Sequence, residues 1–131
     1  MGSNDLTLDD FTEEARRFLD AHAEPRPPAT EFVWGSGSDD VGMFDEKPRD
    51  VEARQAEDAK AWRRQRYDHG FGWIRGPEAF GGRELSAAHE RAYQSLESRY
   101  VTPAMGVFSI SLGMVAPTIL AHAIPEVQER Y

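Results

Sequence analysis

Four histidines, His22, His69, His89 and His122, are the residues of this chain best suited to hold a metal or carry protons. No two lie three or four positions apart, the spacing that sets two imidazoles on one face of a helix. His89 and Glu90 are adjacent and so face different ways. The expectation is therefore no metal site, with each histidine a surface or packed residue. The chain has no cysteine, which removes thiolate ligands, disulfides and thiol nucleophiles. No serine lies in a nucleophile-elbow pattern. Gly35-Ser-Gly-Ser38 lacks the Lys-Ser/Thr of a phosphate loop, and Gly70-x-Gly72 lacks the third glycine of a dinucleotide turn and follows no strand. The paired acids Asp9-Asp10, Glu13-Glu14, Asp39-Asp40 and Asp45-Glu46 lie in polar stretches and read as solvated. By residue type alone, no catalytic residue is assigned.

The elements that would position any site are helical. Thr7-Leu8-Asp9-Asp10 is a capping box with Asp in place of Glu, and acids crowd the first turn, where the helix dipole favours them. Phe11, Ala15, Phe18, Leu19 and His22 follow as one apolar stripe, which Pro25 ends. Residues 25–48 read as a long Pro/Gly-rich loop, pinned in places by Phe32, Val33, Trp34, Met43 and Phe44. A second helix is expected from Arg49 to His69, with Val51, Ala59, Trp62, Arg66 and Tyr67 partly buried and Gly70 as its stop. Ser86 is placed to cap a third helix to about Tyr100, with Ala88, Ala92, Tyr93, Leu96 and Tyr100 inward. Pro103 opens an uncharged stretch that Gly113 and Pro117 should kink or split, and Pro125 suits the first turn of a last helix. No strand pattern and no internal repeat competes, so the expected class is all-α, an antiparallel helical bundle in one domain spanning 1–131.

Composition bounds the partners. A net charge of −8 speaks against a surface built to neutralise nucleic-acid phosphates. Residues 1–60 carry 16 acids and 7 bases, whereas 61–131 carry 7 acids and 8 bases. The acidic half therefore reads as solvated surface and the second half as the holder of the core. The N-terminus lacks both a signal-peptide pattern and the Ser or Thr of a myristoylation site, so a cytoplasmic protein is expected. From Ala104 to Ile124 only His122 can carry charge, a length that could span a bilayer. Its interior Ser109, Ser111, Gly113, Pro117 and Thr118 favour a buried soluble helix or helix pair instead.

Between the second and third helices lies Gly70-Phe-Gly-Trp-Ile-Arg-Gly-Pro-Glu-Ala-Phe-Gly-Gly82, with five glycines, one proline and three aromatics. Solvated linkers gain nothing from aromatics, so this is a shaped corner that packs. Followed by Leu85-Ser86, it resembles the Gly-Trp turn and Pro-Glu-x-Tyr-Gly-Gly-x-Gly-Leu-Ser segment of the N-terminal domain of acyl-CoA dehydrogenases. Leu112-Gly-Met-Val-Ala-Pro-Thr-Ile-Leu-Ala-His122 and Pro125-Glu-Val-Gln-Glu-Arg-Tyr131 resemble that domain's closing helices. The likeness covers about residues 50–131. Phe80 stands for the usual Tyr, Glu84 for Gly, and Ala123-Ile124 for Gly-Thr.

The resemblance implies the N-terminal part of an FAD-dependent enzyme that dehydrogenates acyl-CoA thioesters between the α- and β-carbons. In that family the C-terminal bundle carries the catalytic glutamate, the middle β-barrel and that bundle carry most of the FAD site, and this chain stops where the barrel would begin. It is therefore expected to lack the catalytic base, to bind no FAD alone and to be inactive by itself. Phe108, Ser111, Leu112 and Val115 match the region lining the fatty chain and are the implied substrate-binding residues. Acyl-CoA, and a homo-oligomer or other acyl-CoA dehydrogenase chains, are the implied partners. The alternative is a stand-alone helical interaction module, or a non-catalytic partner of a separate flavoprotein chain.

Overall fold

The computed structural model describes residues 6–29 and 48–131. Helix α1 runs Leu8–His22, α2 Arg49–Asp68, α3 Ala87–Glu97, α4 Ala116–His122 and α5 Pro125–Arg130. Two-residue strands, β1 (Glu24–Pro25) and β2 (Tyr100–Val101), pair antiparallel, with Glu24 opposite Val101 and Pro25 opposite Tyr100. The class is mostly helical, as expected, with this small sheet added. The sheet escapes a pattern search because two residues have no periodicity, and one of them is a proline on an edge.

Thr7 caps α1 as expected, but the Asp10 carboxylate accepts from its hydroxyl instead of its backbone N–H. Thr7 Oγ1 accepts from the Asp10 amide at 3.2 Å and donates to the Asp10 carboxylate at 2.8 Å. Phe11, Ala15, Phe18 and Leu19 are all buried, so the stripe faces the core as read. The acidic half of the chain thus supplies five of the twelve buried apolar residues among those described, which corrects the assignment of the core to the second half. Trp62 of α2, Phe71, Ile74 and Leu85 of the corner, Tyr93 and Leu96 of α3, and Tyr100 complete the cluster.

Phe11 stacks edge-on to His89, and the Tyr100 hydroxyl donates to Asp20, so α1 and α3 run the same way. Trp62 Nε1 donates to Glu97 at 2.9 Å and Arg66 lies over Tyr93, so α2 runs the opposite way. α1 and α3 pack side by side, and α2 meets them through its C-terminal half, at Trp62, Gln65 and Arg66. The backbone bond from Arg26 N–H to the Arg99 carbonyl, 2.8 Å, ties the exit of α1 to the exit of α3 beside the small sheet.

The corner is a compact double turn. Leu85 N–H donates to Ile74 O at 3.0 Å, Glu84 N–H to Gly76 O at 3.0 Å, and Gly82 N–H to Pro77 O at 2.8 Å. A Cβ on Gly82 would overlap the Gly76 carbonyl, so the two limbs approach as closely as backbone allows. Gly81 takes φ 85°, a left-handed conformation, at the end of the 3-10 turn Glu78–Phe80. Arg83 closes the corner onto α1 through two bonds to Glu14, at 3.2 and 3.1 Å, while its guanidinium lies over Phe11 and Phe71.

Three local readings change. Tyr67 is exposed, its ring lying beside Gly81 instead of entering the core. Helix α3 ends at Glu97, and Tyr100 reaches the core from β2. Ser86 occupies the N-cap, but its hydroxyl bonds His89 Nδ1 at 2.7 Å instead of a backbone amide. Most of the 25–48 loop, including Phe32, Val33, Trp34, Met43 and Phe44, lies outside the described residues.

Candidate functional site

The implied substrate residues lie beyond Met105, the last residue to pack against the core. A 3-10 turn (Gly106–Phe108) leads into a π-helical turn (Ser111–Val115) and then α4. Pro117 explains the widened turn. It has no N–H to offer the Gly113 carbonyl four residues back, and its ring crowds that oxygen. The ladder slips by one residue, and Ala116 N–H reaches Ser111 O, five positions back. The predicted break at Gly113 and Pro117 is thus a π-turn inside one continuous run. Farther on, Gln128 of α5 donates to the carbonyls of Leu120 at 2.9 Å and Ala123 at 3.0 Å, which satisfies the end of α4.

Phe108, Ser111, Leu112 and Val115 fall at the spacing that shares one helical face. Ser111 Oγ bonds the Phe108 carbonyl at 3.4 Å, and Arg63 of α2 lies 5.6 Å from the Phe108 ring centroid. That cation–π contact is the link between this segment and the bundle's second helix. Burial of the uncharged stretch does not occur. Ile110 is 68% exposed, Met114 66%, Val115 48% and Leu112 39%. The reason is geometric: the run leaves the core at Met105, and among the described residues nothing covers its apolar side chains. Among the described residues no helix is long and apolar enough to cross a membrane. The stretch is therefore an apolar surface.

A second feature is a cleft of about 560 Å³ between α2 and residues 101–104. His22, Asp58, Trp62 and Gln65 line one side, Val101 and Pro103 the other. It does not suit a flavin dinucleotide: its lining has no Arg or Lys for a pyrophosphate, and Asp58 would repel one. None of the expected substrate residues lines it.

Buried polar chemistry is concentrated where α2 meets α3. Glu97 accepts from Trp62 and sits 3.7 Å from Arg66, whose guanidinium is 4.8 Å from the Tyr93 ring centroid. Tyr93 Oη and Arg66 Nε are buried without a hydrogen-bond partner. Burial pushes the Tyr93 phenol well above its ordinary value, with Arg66 opposing and Glu97 reinforcing the shift. The hydrogen bond to Asp20 raises Tyr100. These groups tie the helices together.

The chain matches no protein-family model, and no curated protein or solved structure matches it significantly.

Sequence spacing also separates two histidines that the fold joins. His22 and His69 are 47 residues apart, yet their ring centroids lie 4.7 Å from one another. The available signal was positional: His22 continues the α1 stripe one turn past Phe18, and His69 closes α2. Both rings rest on Phe18, at 4.9 and 5.1 Å. His89 is a packed residue, with Nδ1 on Ser86 and Nε2 on the Leu6 carbonyl. Among the described residues no group of three or more His, Asp or Glu side chains could hold a metal ion.

Proposed function

We propose that this chain is the N-terminal helical part of an FAD-dependent acyl-CoA dehydrogenase, forming one wall of the cleft that receives the acyl chain. The observation that carries the reading is the apolar strip from Val107 to Val115, displayed on a helical run whose base is held by Met105 and Arg63. Phe108, Leu112 and Val115 give that strip the apolar lining an alkyl chain requires, and Ser111 adds one hydroxyl. The shaped corner from Gly70 to Gly82 and the closing helices are the segments that resemble the family.

The chain's own residues bind and exclude water; they move no proton of the substrate. When bound in a complete enzyme of that family, FAD would supply the hydride acceptor, and the C-terminal bundle would supply the base. Residues described above form no flavin cradle, so no step through FAD is assigned to them. The direct test is the purified 131-residue chain mixed with acyl-CoA, an electron-accepting dye and free FAD. The expectation is neither flavin absorbance retained on the protein nor dye reduction. Stoichiometric flavin with turnover would overturn the proposal.

The same exposed strip favours a second reading, a helical interaction module that docks on a separate flavoprotein chain. The double variant Ile110→Glu/Met114→Glu separates the readings. As a module, the chain co-purifies with a larger flavoprotein and the variant abolishes capture. As a wall fragment, it self-associates through the strip, and the variant makes it monomeric without loss of helicity.

A further inference from the structure

We propose that His22 and His69 form a two-imidazole binding site for a divalent first-row transition ion such as Cu²⁺, Ni²⁺ or Zn²⁺. The site lies where the C-terminal ends of α1 and α2 meet, away from the apolar strip. Its construction rests on one residue. Gln65 engages the Nδ1 atoms of both rings: its main-chain carbonyl accepts from His69 Nδ1–H at 2.8 Å, and its side-chain Nε2 donates to His22 Nδ1 at 2.7 Å.

That arrangement has two chemical consequences. A proton on His69 Nδ1 leaves the Nε2 lone pair as the free donor, the tautomer a metal ligand needs. For His22 the amide of Gln65 has two interchangeable ends. With the nitrogen toward His22, Nε2 of that ring carries the proton; turning the amide end for end, an exchange of two atoms of nearly equal size, puts its oxygen on Nδ1–H and frees Nε2 as in His69. No partner occupies either Nε2 among the described residues. A carbonyl or amide oxygen behind each ligating ring is the usual outer support of a metal-bound imidazole.

The spacing agrees. Metal–nitrogen bonds of about 2.0–2.1 Å place two imidazoles bound side by side on one ion with centroids about 4.5–5.3 Å apart. The observed 4.7 Å lies in that range, and the rings are tilted by 54°, not stacked flat. Both histidines are exposed, so the ion has access and water can fill its remaining positions. Imidazole donors select copper, nickel and zinc over magnesium and calcium. Phe18 beneath both rings limits their rotation, which lowers the entropy lost on chelation.

The two other histidines serve as internal controls. Both nitrogens of His89 are occupied, and His122 lies in α4, far along the chain from any second histidine. Calorimetric titration of the untagged chain with NiCl₂ or ZnCl₂ should give one ion per chain. His22→Ala and His69→Ala should each weaken binding by about tenfold or more, and Gln65→Ala by about tenfold through loss of outer support. His122→Ala should change nothing.

His22→Phe and His69→Phe keep a ring on Phe18 while removing the donors, so they report on ligation even where the alanine variants unfold. With Cu²⁺, electron paramagnetic resonance should show coupling to two imidazole nitrogens, reduced to one in either variant. Gln65→Glu, whose carboxylate still accepts Nδ1–H, should restore affinity. No binding at millimolar ion, or binding that survives loss of either histidine, would overturn the proposal.

Discussion

Glu97 is the point at which the α2–α3 interface is most exposed to a single substitution. Its carboxylate accepts from Trp62 Nε1 at 2.9 Å and balances Arg66 at 3.7 Å. Both charged side chains are mostly buried, Arg66 19% and Glu97 17% exposed. In Glu97→Ala the indole N–H loses its acceptor inside the bundle, which costs about 1–3 kcal/mol. Arg66 also loses its counter-charge. Removing one partner of a fully buried pair costs about 3–5 kcal/mol, and the residual exposure here lowers that contribution.

The two losses share one carboxylate and are not additive, so the expected total is about 2–4 kcal/mol. At roughly 4 °C per kcal/mol for a domain of this size, the melting temperature should fall by about 8–16 °C. Glu97→Gln keeps an acceptor for Trp62 and removes only the charge, and should cost about half as much. The assay is urea unfolding followed by circular dichroism, with m-values compared to confirm that the same surface is exposed. If Glu97→Ala costs less than about 0.5 kcal/mol, a typical surface value, the interface reasoning is wrong. If Gln and Ala variants are equally destabilised, the charge on Arg66 and not the indole hydrogen bond dominates.

Tyr93 keeps its proton in the folded state to a higher pH than in the unfolded chain, so its stabilising effect is complete below about pH 10 and declines above it. Tyr93→Phe should therefore be neutral or slightly stabilising at pH 7 and should remove about 1.4 kcal/mol per pH unit from the alkaline slope, read from unfolding curves between pH 10 and 12. Tyr100 shifts in the same direction, so part of the slope remains. Gly82→Ala drives a methyl group into the Gly76 carbonyl and should cost about 1–3 kcal/mol in thermal unfolding; a neutral result would mean that the corner yields easily. Gln128→Ala removes the donor that closes α4 and should cost about 1 kcal/mol, with faster amide exchange across 116–130 as the local signature.

Much of the bundle was legible because local chemistry and global packing agree in it. Thr7, the Phe11–Leu19 stripe, Gly70 and Pro125 each act within a turn or two of chain, and each does in the structure what its spacing implied. The uncharged stretch failed for the opposite reason. Hydropathy records that Ile110 and Met114 avoid water, but whether a core has room for them depends on three helices elsewhere. The π-turn was half legible: Pro117 announced a disturbance, and only the backbone ladder shows that it widens the helix instead of breaking it. The histidine pair was hidden, since a spacing rule searches along one helix and this pair spans two.

The pairing of Glu24 with Val101 has a consequence for the order of folding. It closes a loop of roughly 77 residues, and bringing such ends together costs about 4 kcal/mol of chain entropy before any contact is made. A two-residue ladder at about 1 kcal/mol per hydrogen bond cannot offset that alone. Once α1 docks on α3, with Phe11 against His89, the ends are already neighbours and the ladder forms almost without further loss. It is thus a late event, and protection of the Arg26 amide against exchange would serve as a clock hand, appearing only after the helices have met.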